Sequence, residues 1–156
     1  MVMFLNQQHL ELLKKGGATT WNTWRQSHPA IVPELDGADL SGVDLSEYNL
    51  SMAHLREANL HNANLSASDL IEARLNGANL ASADLTGAKM IEAKLEFCEL
   101  RGANLSNVDL TGADLSGANF MSANLGGANL NWARLTDAII TEVQLSSVKS
   151  RLEETF

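Results

Sequence analysis

Leu100-Arg101-Gly102-Ala103-Asn104-Leu105-Ser106-Asn107-Val108-Asp109-Leu110-Thr111-Gly112-Ala113-Asp114-Leu115-Ser116-Gly117-Ala118-Asn119 places a Leu at every fifth residue, with Ala two positions before Leu105 and Leu115 and Val before Leu110. The register extends from Leu35 to Leu145 as 23 positions, all Leu except Met90, Phe120 and Ile140. A period of five fits neither regular element. On a helix, five residues rotate the side chain by about 140°, scattering the Leu around the cylinder, and on a strand an odd period sends alternate Leu to opposite faces. The chain must turn a corner once per five residues so that every Leu points inward. A short fixed repeat of this kind marks a solenoid.

A second period sets the size of one coil. Leu70-Ile71-Glu72-Ala73-Arg74-Leu75 is echoed by Met90-Ile91-Glu92-Ala93-Lys94-Leu95, 20 residues later. Ile and Glu are unusual after the central residue, where Ser, Thr or Gly is the rule. Four pentapeptides per coil would stack Ile91 on Ile71 and Lys94 beside Arg74.

Ala38-Asp39-Leu40-Ser41-Gly42, Ala103-Asn104-Leu105-Ser106-Asn107 and Ala113-Asp114-Leu115-Ser116-Gly117 resemble the A(D/N)LXX unit of the pentapeptide-repeat family. The resemblance covers residues 35–148. It implies an all-β solenoid, a right-handed quadrilateral β-helix of just under six coils with the central and small residues inward. The small slot departs from the pattern at Val43, Tyr48, Ser68, Cys98, Val108 and Val143. Tyr48 is the largest intruder and falls in the first coil, where an end cover could make room for it. Cys98, the single cysteine, excludes an internal disulfide and reads as a packing residue.

Three segments are expected: a helical N-terminal cap at 1–34, the β-helix at 35–148, and a C-terminal tail or cap at 149–156. In the first, Leu5, His9, Leu10, Leu12 and Leu13 lie at helical spacing and Gly16-Gly17 stops the helix. Thr19 or Thr20 is expected to N-cap a second helix presenting Trp21 and Trp24, ended by Ser27-His28-Pro29. This leader also resembles segments preceding some bacterial, often cyanobacterial, arrays. At the other end, Ser146 or Ser147 is expected to cap a turn carrying Val148, Leu152 and Phe156. It would pack on the last coil or against a second copy, giving a homodimer through the C-terminal end.

The net charge is −8, and the acids concentrate in the repeats, where residues 35–147 hold 15 Asp and Glu against 6 Lys and Arg. Such a surface argues against direct nucleic-acid binding. The start carries neither a basic region nor a sustained apolar stretch, and no membrane span or membrane association is expected, so the cytoplasm is the expected location. The periodic Asp39, Asp44, Asn59, Asn64, Asn79, Asp84, Asn104, Asp109 and Asn124 suit corner hydrogen bonding, not catalysis. His9, His28, His54 and His61 show no metal spacing. No catalytic residues, metal or cofactor are expected, and an uninterrupted register provides no loop-built pocket.

One side of the column is featured. The candidate partner-binding surface comprises Ile71, Glu72, Arg74, Ile91, Glu92, Lys94, Trp132 and Arg134, with Met52 and Phe97 nearby, and both Ile are expected to face water. The side centred on Leu45, Leu65, Leu85, Leu105 and Leu125 is plain. The leading expectation is a non-enzymatic scaffold presenting a rigid wall to another protein. The alternative is a DNA-mimic regulator or protector of a type II topoisomerase, as in quinolone-resistance members of the family. It is weakened by a short rod, the Arg74–Arg134 column and the lack of projecting loops.

Overall fold

The computed structural model describes residues 2–150, with side chains from residue 7 onward. From Glu34 to Ile139 the chain pairs with itself in parallel at a constant offset of 20 residues: Glu34 with His54, Asp39 with Asn59, Asp44 with Asn64, Asn49 with Asp69, and so on upward. Four pentapeptides therefore make one coil, and the coil has four faces, named here by their first central residues Leu35, Leu40, Leu45 and Leu50.

Hydrogen bonding explains the regularity. From Leu35 to Phe120 each central amide donates upward, as Leu40 N does to Asn59 O at 2.8 Å, and the residue before the next central one donates back, as Asn59 N does to Ala38 O at 2.9 Å. Corners are closed by the small residue's amide on the central carbonyl three residues earlier, as in Ala58 N to Leu55 O at 3.1 Å. The third residue of each corner has positive φ, the requirement of a type II turn. It recurs at all 21 corners from Gly37 to Asp137, and 13 of them are not glycine. The stack supports the turn: from Gly37 to Gly117 each of these corner residues donates its own amide to the next coil, as Glu47 N does to Ser66 O at 3.0 Å.

Inside, the central residues from Leu35 to Leu130 and their Ala neighbours are almost wholly shielded from solvent. Each buried Leu removes apolar surface worth about 1.5–3 kcal/mol, and its layer is shared with the coils above and below. Cys98 is one of these packing residues. Its thiol donates to Leu75 O, and burial pushes its pKa up to about 12.

Helix α1, Val2–Ser27, is broken at Gly17, whose φ of 65° and ψ of 172° are non-helical. The expected break is therefore present, but Gly17 occupies the turn that Thr19 or Thr20 was expected to cap. Both threonines lie inside the second segment, where Thr23 Oγ1 donates to Thr19 O. That segment runs against the first coil. In a continuing stack, Asn49 would direct both its N–H and its C=O, and Ser51 its C=O, to a coil below. Here Asn49 N donates to Asn22 Oδ1 at 2.8 Å, Trp21 Nε1 donates to Asn49 O at 2.7 Å, and Arg25 Nη2 donates to Ser51 O at 3.0 Å. Asn22 also donates to Glu47 O at 3.0 Å, so its carboxamide oxygen takes the place of an absent coil's carbonyl while its amino group adds a bond of its own. Tyr48 fits its undersized slot by extending toward α1, where its hydroxyl donates to Leu13 O at 3.1 Å.

The register was expected to reach Leu145; it changes after Ile140. Residues Glu142–Ser146 form a short helix, α2, N-capped by Thr141, with a capping box between Thr141 and Gln144. Leu145 is buried as a helical residue. The chain then pairs Asn129 with Ser150, an offset of 21, because α2 consumes one residue more than a pentapeptide. Gln144 donates its side-chain Nε2 to Ala123 O at 3.0 Å and also to Phe120 O, replacing the backbone donor that an unbroken register would supply. The cap expected at Ser146 or Ser147 is thus displaced to Thr141, and Ser147 ends α2. Leu152 and Phe156 lie outside the described residues. No helix among the described residues is long and apolar enough to cross a membrane.

Candidate functional site: the Leu35 face and its corners

Three faces share one surface chemistry. On the Leu40, Leu45 and Leu50 faces, the residue before the central one is mostly Asp or Asn, and its Oδ1 accepts the amide two residues on. Asp39 with Ser41, Asn64 with Ser66, Asp84 with Thr86 and Asn104 with Ser106 all do so. Neighbouring coils add side-chain rungs, such as Asn59 Nδ2 to Asp39 Oδ1 at 3.1 Å. The bonds from Ser41 hold the Asp39 carboxyl below its ordinary pKa, and those from Ser46 do the same for Asp44. These side chains are occupied in building corners, as the sequence pattern suggested.

The Leu35 face differs. Its equivalent column reads Glu34, His54, Arg74, Lys94, Asp114 and Arg134, paired in succession up the coils. Arg74, Lys94 and Arg134 are exposed and have no carboxamide with which to bind a corner. Arg134 Nη1 donates to Asp114 Oδ2 at 3.1 Å. Burial alone would raise the Asp114 pKa, but hydrogen bonds from Ser116 and the nearby Arg134 and Lys94 charges bring it below the usual value.

The corner leading into this face stacks Ile71 on Ile91, since Glu72 N donates to Ile91 O at 2.9 Å. Both Ile are half-buried rather than fully facing water, because corner residues of adjacent coils shield one another. Glu72 and Glu92 are exposed in the next column. That column begins at Met52 and ends at Trp132, which is 60% exposed. The other corner of the face carries Phe97, 75% exposed. Its ring lies over the next coil, so that a Cβ added at Gly117 would stand 2.6 Å from it.

All eight candidate surface residues therefore fall on one face and one adjoining corner. Sequence reading passed over a second grouping on the same face: Glu34, Asp36 and His54 bring their donor atoms within 4.8 Å of one another. A further apolar cleft lies at the upper end, about 440 Å³, lined by Met121, Ile139, Ile140, Thr141 and Gln144 among others.

The sequence matches the pentapeptide repeats, in eight copies, over overlapping segments that run from residue 34 to residue 149. The chain belongs to the pentapeptide-repeat family. Among solved pentapeptide-repeat structures, it is similar to HetL from the cyanobacterium Nostoc sp. strain PCC 7120, described as involved in heterocyst differentiation regulation. The identity is 38% over 70% of this chain and 58% of HetL, with a TM-score of 0.26. This chain thus spans little more than half of HetL's length. Rfr23 from the cyanobacterium Cyanothece 51142 is 31% identical over 80% of this chain and 97% of its own, with a TM-score of 0.41. A pentapeptide-repeat protein of the Arabidopsis thaliana thylakoid lumen is 34% identical over 67% and 69%, with a TM-score of 0.30. No match was found among curated proteins.

Proposed function

We propose that this pentapeptide-repeat protein is a non-enzymatic, cytoplasmic interaction scaffold, a right-handed column of just under six coils whose Leu35 face docks another protein. α1 serves as the cap of the lower end. The observation that carries the reading is the contrast between faces. Three are spent on corner hydrogen bonds, while the fourth displays Arg74, Lys94 and Arg134 between the exposed Trp132 and Phe97. Apolar and aromatic groups supply burial at an interface, and charges supply orientation and association rate.

An affinity pull-down from native lysate, comparing wild type with Ile71→Ser/Ile91→Ser and Arg74→Glu/Lys94→Glu, tests this. The Ile pair should weaken a recovered partner by raising its dissociation rate. The charge pair should slow association, most strongly at low salt. A partner indifferent to both double variants would exclude this face. The topoisomerase reading is favoured by one observation, the net charge of −8. It is disfavoured by the basic residues interrupting the acidic field on the Leu35 face. A DNA-supercoiling assay unaffected by stoichiometric excess of the protein would remove it.

A further inference from the structure

We propose that Glu34, Asp36 and His54 form a binding site for a divalent transition-metal ion, with Zn²⁺ the best chemical fit, at the base of the Leu35 face. Glu34 and Asp36 flank the inward Leu35, Glu34 on the face itself and Asp36 in the corner turn that follows, and their carboxylates come together with the His54 ring. His54 stands directly above Glu34, paired with it in parallel. The frame is fixed on both sides of that pair: His54 N donates to Pro33 O at 2.9 Å, and Leu35 N donates to His54 O at 2.8 Å. Glu34 is held from below as well, its amide donating to His9 Nδ1 at 3.0 Å. Asp36 is oriented by the Arg56 amide, which donates to its Oδ1 at 2.8 Å.

The donor spacing suits a small ion. His54 Nδ1 lies 3.1 Å from Glu34 Oε2. Two ligands each about 2.1 Å from zinc stand about 3.0 Å apart at a right angle and about 3.4 Å apart at the tetrahedral angle. The donors of all three residues lie within 4.8 Å of one another, a spread that modest carboxylate rotation closes. The His54 and Glu34 side chains are 22% and 27% exposed, sheltered yet open to an arriving ion and to water completing the shell. One imidazole and two carboxylates favour a borderline ion over Mg²⁺ or Ca²⁺, which take all-oxygen shells. A bound ion would cross-link the first coil to the second next to the His9 contact with α1.

Calorimetric titration of the full chain with Zn²⁺ alone, paired with thermal melting, tests the site. The expected result is one Zn²⁺ per chain and a raised melting temperature, with Mg²⁺ and Ca²⁺ at equal concentration giving neither. His54→Ala and Glu34→Gln should each weaken binding at least tenfold, while His61→Ala, on another side of the column, should not. Circular dichroism checks the folding of each variant, with Asp36→Asn taking the place of any that fails. No stoichiometric Zn²⁺ binding by wild type would overturn the proposal, leaving His54 and Glu34 as a hydrogen-bonded pair only. Undiminished binding by the folded site variants would overturn it equally, placing the ion on another histidine.

Discussion

Leu75 is fully buried, and an Asp there would strand a carboxylate among apolar layers at a cost of several kcal/mol. Leu75→Asp should therefore abolish cooperative unfolding. Ser82→Asp should change stability by less than about 0.5 kcal/mol, since Ser82 is exposed at a positive-φ corner that Asp tolerates. Chemical denaturation of both variants checks the inside–outside assignment, and similar losses would contradict it. Gly117 joins two constraints, a φ of 69° and the Phe97 ring at 2.6 Å from an added Cβ. Gly117→Ala should cost about 1–2 kcal/mol. In a Phe97→Ala background the steric share should vanish and the backbone share of about 1 kcal/mol should remain. The same loss in both backgrounds would show that the ring simply swings aside. Residues of this kind were largely legible in the sequence, because one slot in each five carries one role. The exposure of Ile71 and Ile91 was not legible, since corner shielding depends on side chains 20 residues away in either direction.

The two helices complete hydrogen bonding that the column alone leaves open. Gln144→Ala should destabilise by about 1–3 kcal/mol, because it removes the side-chain donor from the Phe120 and Ala123 carbonyls. Stability unchanged in urea melts would mean that water serves these carbonyls equally well. α1 should also be sensitive to pH. His9 is buried, and its Nδ1 accepts the Glu34 amide, which requires the neutral ring. Burial lowers its pKa from 6.5, with Arg25 acting in the same direction and Glu34 opposing. The unfolded chain then binds more protons below 6.5, so this stabilisation is fully present above that pH and is lost as pH falls through the depressed folded value. Emission from Trp21 and Trp24 should shift to the red over that range, and less so in His9→Phe. A shift identical in both proteins would assign the transition to other groups. The break at Gly16-Gly17 could be read directly from the chain. The capping box Thr141-Glu142-Val143-Gln144 was equally readable, but Leu145 happens to keep the five-residue rhythm and concealed it.

At the scale of the molecule, columns read from the sequence, such as Arg74 with Lys94, pair at the 20-residue offset, whereas the Glu34, Asp36 and His54 grouping was missed. Metal spacing is ordinarily sought within one helix or loop, whereas here the coil brings together residues 20 apart. Deleting residues 1–32 should yield an aggregating protein, as Asn49 and Ser51 on the lower edge lose their α1 partners. A truncated chain that stays monomeric with an unchanged melting temperature would reduce α1 to a tether. Everything said of faces, columns and sites depends on the 20-residue coil, and proximity labelling tests it directly. In a Cys98→Ala background, pyrene attached at Arg74→Cys and Lys94→Cys should give strong excimer emission, because these positions are paired neighbours on one face. Pyrene at Arg74→Cys and Asp84→Cys, closer in sequence but on opposite faces, should give monomer emission alone. Excimer from the 74/84 pair and none from the 74/94 pair would contradict the four-sided coil.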